Sequence, residues 1–353
     1  MGRIVGVSTR RSNSKKFRFD ESDVRIRPAR SSRPRSKDRP IHAQAIRGFV
    51  VQVDRGRSTC VTENGVVLSA MKARELGKNS VVVGDHVALV GDISGTAGAL
   101  ARIVSVYERK NYLTRTVDDG VGVERMIVAN VDQMIIVSAT AQPEPRAGFV
   151  DRCLVIAFDQ GITPIILMTK SDVADAHAFL APYEKLGIRT LQTHRGADLS
   201  PVQELLMDKT SVLIGHSGVG KSTLVNALLD TPIRATGDVN DVTGRGRHTS
   251  SSATALHLRT LGRGTGWIID TPGVRSFGLS HIDISRVLAA FSDLAEIATR
   301  CPKNCSHLDE SIEPDCALNQ WARDRRESGD GHPEERLASL RRVLHSSQNA
   351  RAK

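Results

Sequence analysis

With 353 residues and 40% hydrophobic content, the chain is long enough for two or three domains with cores of their own. Its formal charge of +10 is gathered at one end: residues 1–42 hold thirteen Lys or Arg against four Asp or Glu, and the remainder is close to neutral. No run of about 18 or more apolar residues exists, and no apolar segment follows the basic N-terminus. This argues against a membrane span or a secretory signal and points to the cytoplasm.

Residues 1–43 are rich in Arg, Lys, Ser and Pro and carry almost no apolar periodicity. Such a segment cannot bury enough surface to offset its ordering entropy, so a disordered basic arm is expected. It either solubilises the chain or neutralises nucleic-acid phosphates, and its charge density favours the second.

From 44 to 109 the pattern changes to short runs dense in Val, Ile and Thr, broken by Gly, Asn-Gly and Gly-Asp turns. Four or five such strands in about 60 residues fit a small OB-type β-barrel, a fold that commonly binds single-stranded nucleic acid. Phe49 and Tyr107 are nearly the only aromatics available there. RNA contact by this barrel would thus rest on Arg47, Arg55, Arg57, Lys72, Arg74 and Lys78 more than on stacking. A purely structural barrel is the other reading.

Residues 110–280 alternate helical stretches such as VDRCLVIAFDQ with continuous apolar runs, QMIIVSA, PIILMTK, SVLIG and GWIIDTPG. Strand–helix alternation with strands apolar throughout indicates a parallel sheet covered on both faces. From 281 to 345 strand signals stop, and a helical, Cys/His-bearing piece ends in the basic helix PEERLASLRRVLHSS, with 346–353 as a tail.

Chemistry concentrates in the 110–280 segment. Gly215, His216, Ser217, Gly218, Val219, Gly220, Lys221 and Ser222, followed by Thr223, match G-x-x-x-x-G-K-[ST] in full between an apolar strand and a helix. Glycines let backbone N–H groups converge on a phosphate; Lys221 can reach the β/γ oxygens and Ser222 can offer its hydroxyl to Mg²⁺. About 50 residues on, Asp270 ends an apolar strand and Gly273 closes D-T-P-G, suited to a water-mediated Mg²⁺ contact and a γ-phosphate-sensing N–H. Between them GDVNDVTGRGRHTSSSATAL is expected to be mobile, with Thr249 completing the Mg²⁺ shell as switch loops do; an ordinary flexible loop is the alternative.

The base-reading element lies upstream. Thr169, Lys170, Ser171 and Asp172 follow the strand PIILM. An Asp carboxylate there accepts hydrogen bonds from N1–H and the 2-amino group of guanine, for which adenine has no matching donors. Thr193, His194 and Arg195 are candidates for a second base-side loop. A base turn that precedes the phosphate loop is tolerated if the original termini lay close together, because permutation only moves the break.

This order of T-K-S-D, G-H-S-G-V-G-K-S, R-H-T-S-S and D-T-P-G resembles the circularly permuted ribosome-small-subunit-dependent GTPases, the RsgA/YjeQ family. The resemblance covers about residues 45 to 325. It implies a multidomain chain of OB-type barrel, permuted P-loop α/β GTPase domain and C-terminal helical zinc-binding domain. It also implies GTP hydrolysis stimulated by the small ribosomal subunit and its rRNA during late maturation; a monomer is expected. After D-T-P-G the chain has Val274, where many small GTPases place a water-orienting Gln, so hydrolysis alone should be slow. His248 is the expected substitute, and the family carries His there.

The resemblance places structural zinc on Cys301, Cys305, His307 and Cys316, with unusual spacing: three residues between the first two cysteines and eight before the last. One His and three thiolates in sixteen residues suit tetrahedral Zn²⁺ on their own account. Two rival readings stay open, an RNA-binding P-loop NTPase with a non-ribosomal activator and a non-catalytic RNA-binding scaffold.

Overall fold

A computed structural model describes residues 44–54, 56–77, 80–116, 124–229, 253–259, 265–271, 284–327 and 333–351. His248, Thr249, Gly273, Val274, Arg55, Lys78 and the basic arm lie outside them.

Five short strands come first: β1 (Ile46–Asp54), β2 (Arg57–Thr62), β3 (Val67–Lys72), β4 (His86–Gly91) and β5 (Ala101–Val106). β1 pairs with both β2 and β4, β2 with β3, β3 with β5 and β5 with β4, so the ring closes and leaves no free edge within it. Val50, Cys60, Leu68, Val87, Leu89 and Ile103 fill the interior. This is the expected OB-type barrel. Burial pushes the Cys60 thiol up to about 12, so it packs as a protonated apolar side chain.

An ion pair locks the barrel to the segment after β5. Arg109 donates from Nε to Asp85 Oδ1 at 2.6 Å and from Nη2 to Asp85 Oδ2 at 2.8 Å, and Asp85 is fully buried. The same carboxylate accepts the Val82 N–H at 2.8 Å, so its lone pairs are well used. A hairpin that the sequence pattern does not announce, β6 (Tyr112–Thr116) with β7 (Glu124–Ala129), continues the linkage through a bridge from Val128 to Val83.

The second sheet region has the order β10-β9-β8-β11-β13-β12. Its strands are β8 (Gln133–Ala139), β9 (Thr163–Thr169), β10 (Arg189–Gln192), β11 (Thr210–Ile214), β12 (Thr254–Arg259) and β13 (Thr265–Asp270). Every pairing is parallel except β12 with β13. Apolar residues alternate between two cores: Ile136, Ile166, Val212 and Ile269 face one side, Ile135, Ile165, Leu213 and Ile268 the other. Helices α1 (Ala147–Asp159) and α2 (His177–Glu184) cover the first face; α3 (Ser200–Leu206) and α4 (Lys221–Leu229) cover the second. Central β11 has the earlier strands β8, β9 and β10 on one side and the later β13 and β12 on the other, which is the signature of the permutation. β12 also corrects the expected mobile loop, whose last residues, Thr254 to Leu256, pair with β13.

Beyond 283 the described regular elements are helices: α5 (Ile284–Ala289), α6 (Ser292–Ala298), α7 (Ala317–Glu327) and α8 (Pro333–Arg351). α8 runs past 345, into the expected tail. It is fastened to the nucleotide-binding region by Arg342 Nε, 3.0 Å from Asp151 Oδ2 on α1, by Arg336 on the Lys185 carbonyl, and by the Lys185–Glu335 ion pair. Among the described residues no helix is long and apolar enough to cross a membrane.

Candidate active site and metal centre

β11 delivers the chain into the loop Gly215–Gly220, and α4 starts at Lys221. Glycine is required in this loop for lack of space at Gly215 and for backbone conformation at Gly218 and Gly220. A Cβ on Gly215 would sit 2.3 Å from the Val137 carbonyl oxygen, and Gly218 and Gly220 hold φ of +84° and +91°. Val219 alone in the loop is buried, pinning it to the core, while Ser217, Gly218, Ser222 and Thr223 are exposed. Lys221 Nζ donates to the carbonyls of Gly215 and His216 at 2.5 and 2.8 Å, so the ammonium is held over the loop.

Asp270 ends β13 in register with Leu213, one strand from the loop. Burial pushes its carboxyl up, opposed by Lys221 and by the Thr271 N–H. Burial likewise pushes Lys221 down, opposed by Asp270. The two groups therefore stabilise each other's charged form in a half-buried setting. Thr271, itself buried, donates toward the Leu213 carbonyl at 3.2 Å and fixes the strand end.

The base-side turn comes off β9. Buried Thr169 places Oγ1 2.5 Å from the Val219 carbonyl oxygen and 3.1 Å from that of Ser138. Lys170 takes φ of +56°, its carbonyl accepts from Thr140 Oγ1 at 2.5 Å, and its ammonium donates to the Gln142 carbonyl. The Ser171 N–H donates to the Thr193 carbonyl at 3.1 Å, and Ser171 Oγ lies 3.3 Å from His194 Nδ1. Asp172 is exposed. The loop after β10 thus meets the T-K-S-D turn through Thr193 and His194, two of the three candidates, and Arg195 comes next in the chain.

His216 packs its ring 4.2 Å from that of Phe149, and its Nε2 is buried without a hydrogen-bond partner among the described residues. Burial, with Arg146, Arg152 and Lys221 nearby, lowers its pKa, so the imidazole is neutral at neutral pH.

Near the C-terminus Cys301, Cys305, His307 and Cys316 bring four ligand atoms within 4.8 Å of one another. His307 Nδ1 lies 3.5, 3.3 and 3.6 Å from the sulfurs of Cys301, Cys305 and Cys316, and the Cys301–Cys316 sulfurs are 3.8 Å apart. These four separations match edges of a tetrahedron whose donors stand about 2.0–2.3 Å from its centre. The backbone reaches this shape through Asn304 and His307 at positive φ, and the Ala317 N–H points at Cys301 Sγ at 3.2 Å. Glu313 holds the loop by accepting the Ser306 N–H at 2.6 Å. The odd spacing changes the loop and leaves the donor set intact; a metal ion fits it. Cys60 and Cys153 are buried elsewhere and take no part.

Of the basic residues expected on the barrel, Arg57 and Arg74 are exposed and Lys72 Nζ is bound to the Gly77 carbonyl at 2.7 Å. Arg47 lies with its guanidinium 5.3 Å over the Tyr107 ring. Phe49 is 9% exposed, because Trp267 of β13 packs on it at 4.9 Å. No sequence signal announces that pairing: its partners are more than 200 residues apart, and no local pattern connects them.

A phosphate-type loop on a central strand, an acid-ended neighbour and a base-side turn earlier in the chain define a circularly permuted GTPase. The chain belongs to the RsgA GTPase family, whose sequence profile matches residues 106–280, and it is accordingly a GTP hydrolase. A Marinobacter nauticus protein is 31% identical over 93% of this chain and 94% of its own length; one from Ectopseudomonas mendocina is 37% identical over 69% of each. Both carry the name small ribosomal subunit biogenesis GTPase RsgA. The crystal structure of YjeQ from Thermotoga maritima superposes with a TM-score of 0.60 at 25% identity, covering 86% of this chain and 99% of that one. YloQ, described as a circularly permuted GTPase, gives 0.60 at 24% identity over 88% and 98%, a likeness of fold.

Proposed function

We propose that this chain binds the small ribosomal subunit through its rRNA and hydrolyses GTP there during late maturation of the subunit. The observation that carries this reading is one sheet bearing the phosphate loop and the upstream T-K-S-D turn in contact, within a chain whose full-length relative is named for small-subunit biogenesis. In this reading the chain acts as a cytoplasmic monomer. Residues 44–109 form the barrel domain, 110–280 the GTPase domain, and 281–345 the zinc-binding domain.

The loop N–H groups from His216 to Thr223 cradle the phosphates, and Lys221 exchanges its two loop carbonyls for β/γ oxygens. Asp172 reads guanine, and Lys170 covers the base plane. Ser222 and Thr249 would hold Mg²⁺, with Asp270 acting through water; the ion would neutralise charge on the β- and γ-phosphates. Gly273 senses the γ-phosphate. His248 orients the attacking water when the subunit engages the segment that carries it. Zinc on Cys301, Cys305, His307 and Cys316 holds the C-terminal helices in shape.

The test is GTP turnover by the purified protein with and without small ribosomal subunits, with ATP as control. A slow, GTP-only rate that rises sharply with subunits is expected; a flat response overturns the subunit as activator. His248→Ala should abolish the stimulation while GTP binding stays unchanged, and intact stimulation would remove that role from His248. Subunit affinity should also be higher with a non-hydrolysable GTP analogue than with GDP, and equal affinities would refute the coupling.

A further inference from the structure

Between β8 and α1, residues 140–146 run beside the phosphate loop. The stretch leaves the base turn first: the Thr140 hydroxyl donates to the Lys170 carbonyl at 2.5 Å, and the Lys170 ammonium donates to the Gln142 carbonyl. It then meets the exposed tip of the phosphate loop, where Pro143 Cδ lies 3.7 Å from the position a Cβ on Gly218 would take. Past it, Phe149 on the first turn of α1 sets its ring 4.2 Å from that of His216.

Arg146 stands between these two loop contacts, three residues from Pro143 and three from Phe149. Its backbone is committed: the carbonyl accepts the N–H groups of Phe149 at 3.0 Å and Val150 at 3.3 Å, opening α1. Its side chain is not. It is exposed, caps nothing, and has no carboxylate partner among the described residues. Its charge reaches the loop, because after burial it contributes most to lowering the His216 pKa, ahead of Arg152 and Lys221. The imidazole is therefore neutral, and the guanidinium is the cation added on this side.

We propose that Arg146 is a second cationic ligand of the terminal phosphate of GTP, supplied by the chain itself in addition to Lys221. Lys221 is held over the Gly215 and His216 carbonyls, and the triphosphate carries more negative charge than Mg²⁺ and one ammonium neutralise. The stretch that carries Arg146 leads away from the base turn and toward His216, so Arg146 lies at the far end of the nucleotide. A guanidinium suits that place: it stays charged at any working pH and can grip two phosphate oxygens with its fork of donors. GDP lacks the terminal phosphate, so the contact sorts triphosphate from diphosphate. Holding a phosphate does not orient water, so unaided turnover stays slow.

The test is calorimetric titration of the native chain and its Arg146 variants with a non-hydrolysable GTP analogue and with GDP, each with Mg²⁺. Arg146→Ala should weaken the analogue about tenfold and GDP less than about twofold. Arg146→Lys should recover part of the lost affinity, and Arg146→Glu should deepen the loss. A merely structural role in α1 would weaken both nucleotides alike, and that result overturns the proposal. So does unchanged affinity for the analogue in Arg146→Ala. The assignment rests on the GTPase reading of the site, which the native chain's own binding of the analogue checks separately. Arg146 is judged by the difference between analogue and GDP in the variants. No ribosomal subunit enters the assay, so its outcome is independent of whether subunits stimulate turnover.

Discussion

Thr169, the first residue of the base-side turn, holds its hydroxyl oxygen 2.5 Å from the carbonyl oxygen of Val219 in the phosphate loop. One hydroxyl has one proton, so it serves Val219 or the more distant Ser138 carbonyl at any moment, and the geometry favours Val219. Both residues are buried, so the bond is not open to exchange with water. The two ends of the nucleotide site are thereby held at a fixed distance by a side chain 50 positions before its partner.

Thr169→Val keeps the shape and removes the donor, leaving the Val219 carbonyl buried and unsatisfied. The expected cost is about 1–3 kcal/mol of stability. Because the phosphate loop then loses its tie to the base turn, affinity for GTP should fall about tenfold, and affinity for free pyrophosphate much less. Calorimetric titration with both ligands distinguishes this from general destabilisation, which would weaken the two alike.

Asp172 carries the base selectivity in the proposed site. Asp172→Asn replaces two acceptor positions with one acceptor and one amide donor. GTP binding should drop by about two orders of magnitude. Xanthosine triphosphate, which bears a carbonyl where guanine bears its 2-amino group, should bind the variant better than GTP does. Unaltered GTP affinity would place the base elsewhere.

The parts of this molecule legible in the sequence are those where chemistry fixes letters locally. Gly215, Gly218 and Gly220 are dictated by a carbonyl 2.3 Å from a would-be Cβ and by positive φ, so the loop can be read without a structure. The Cys301–Cys316 cluster announces its donors, and the β1–β5 turns announce a barrel. Pairings set by tertiary packing leave no such trace. Trp267 on Phe49, and Arg342 on Asp151 across 191 positions, arise from how sheets and helices dock. β12 is hidden for a related reason: its first letters, TAL, follow the polar run TSSSA and read as the end of a loop, and they become strand by pairing with β13.

The metal centre predicts its own stoichiometry. Purified protein should carry about one zinc per chain by elemental analysis. Cys305→Ser should reduce that content and loosen the helices α6 to α8, read as faster amide exchange there. The phosphate-loop region, built on a separate core face, should keep its affinity for GTP analogues. Full zinc retention in the variant would contradict a four-donor site.

Asp151 is 1% exposed, and burial pushes its carboxyl above the ordinary carboxylate range even though Arg342 pulls the other way. A carboxyl with a raised folded pKa costs stability once ionised. That cost is absent below the unfolded value of about 3.9 and grows to its full size as pH rises through the folded value. Asp151→Asn removes the titration, so its stability relative to the native chain should improve across that window. At neutral pH the change should stay within about 1 kcal/mol, because the lost charge pair and the relieved desolvation offset each other. Arg342→Ala is a different matter: it leaves the carboxylate buried without its cation. With the Arg342 side chain 36% exposed, the loss should sit near the low end for buried pairs, about 3 kcal/mol. Urea unfolding of the three proteins from about pH 3.5, below the unfolded value, up to pH 8 measures both quantities. Equal losses in the two variants would mean that the pair, rather than the buried charge, sets the energetics of docking α8 onto α1.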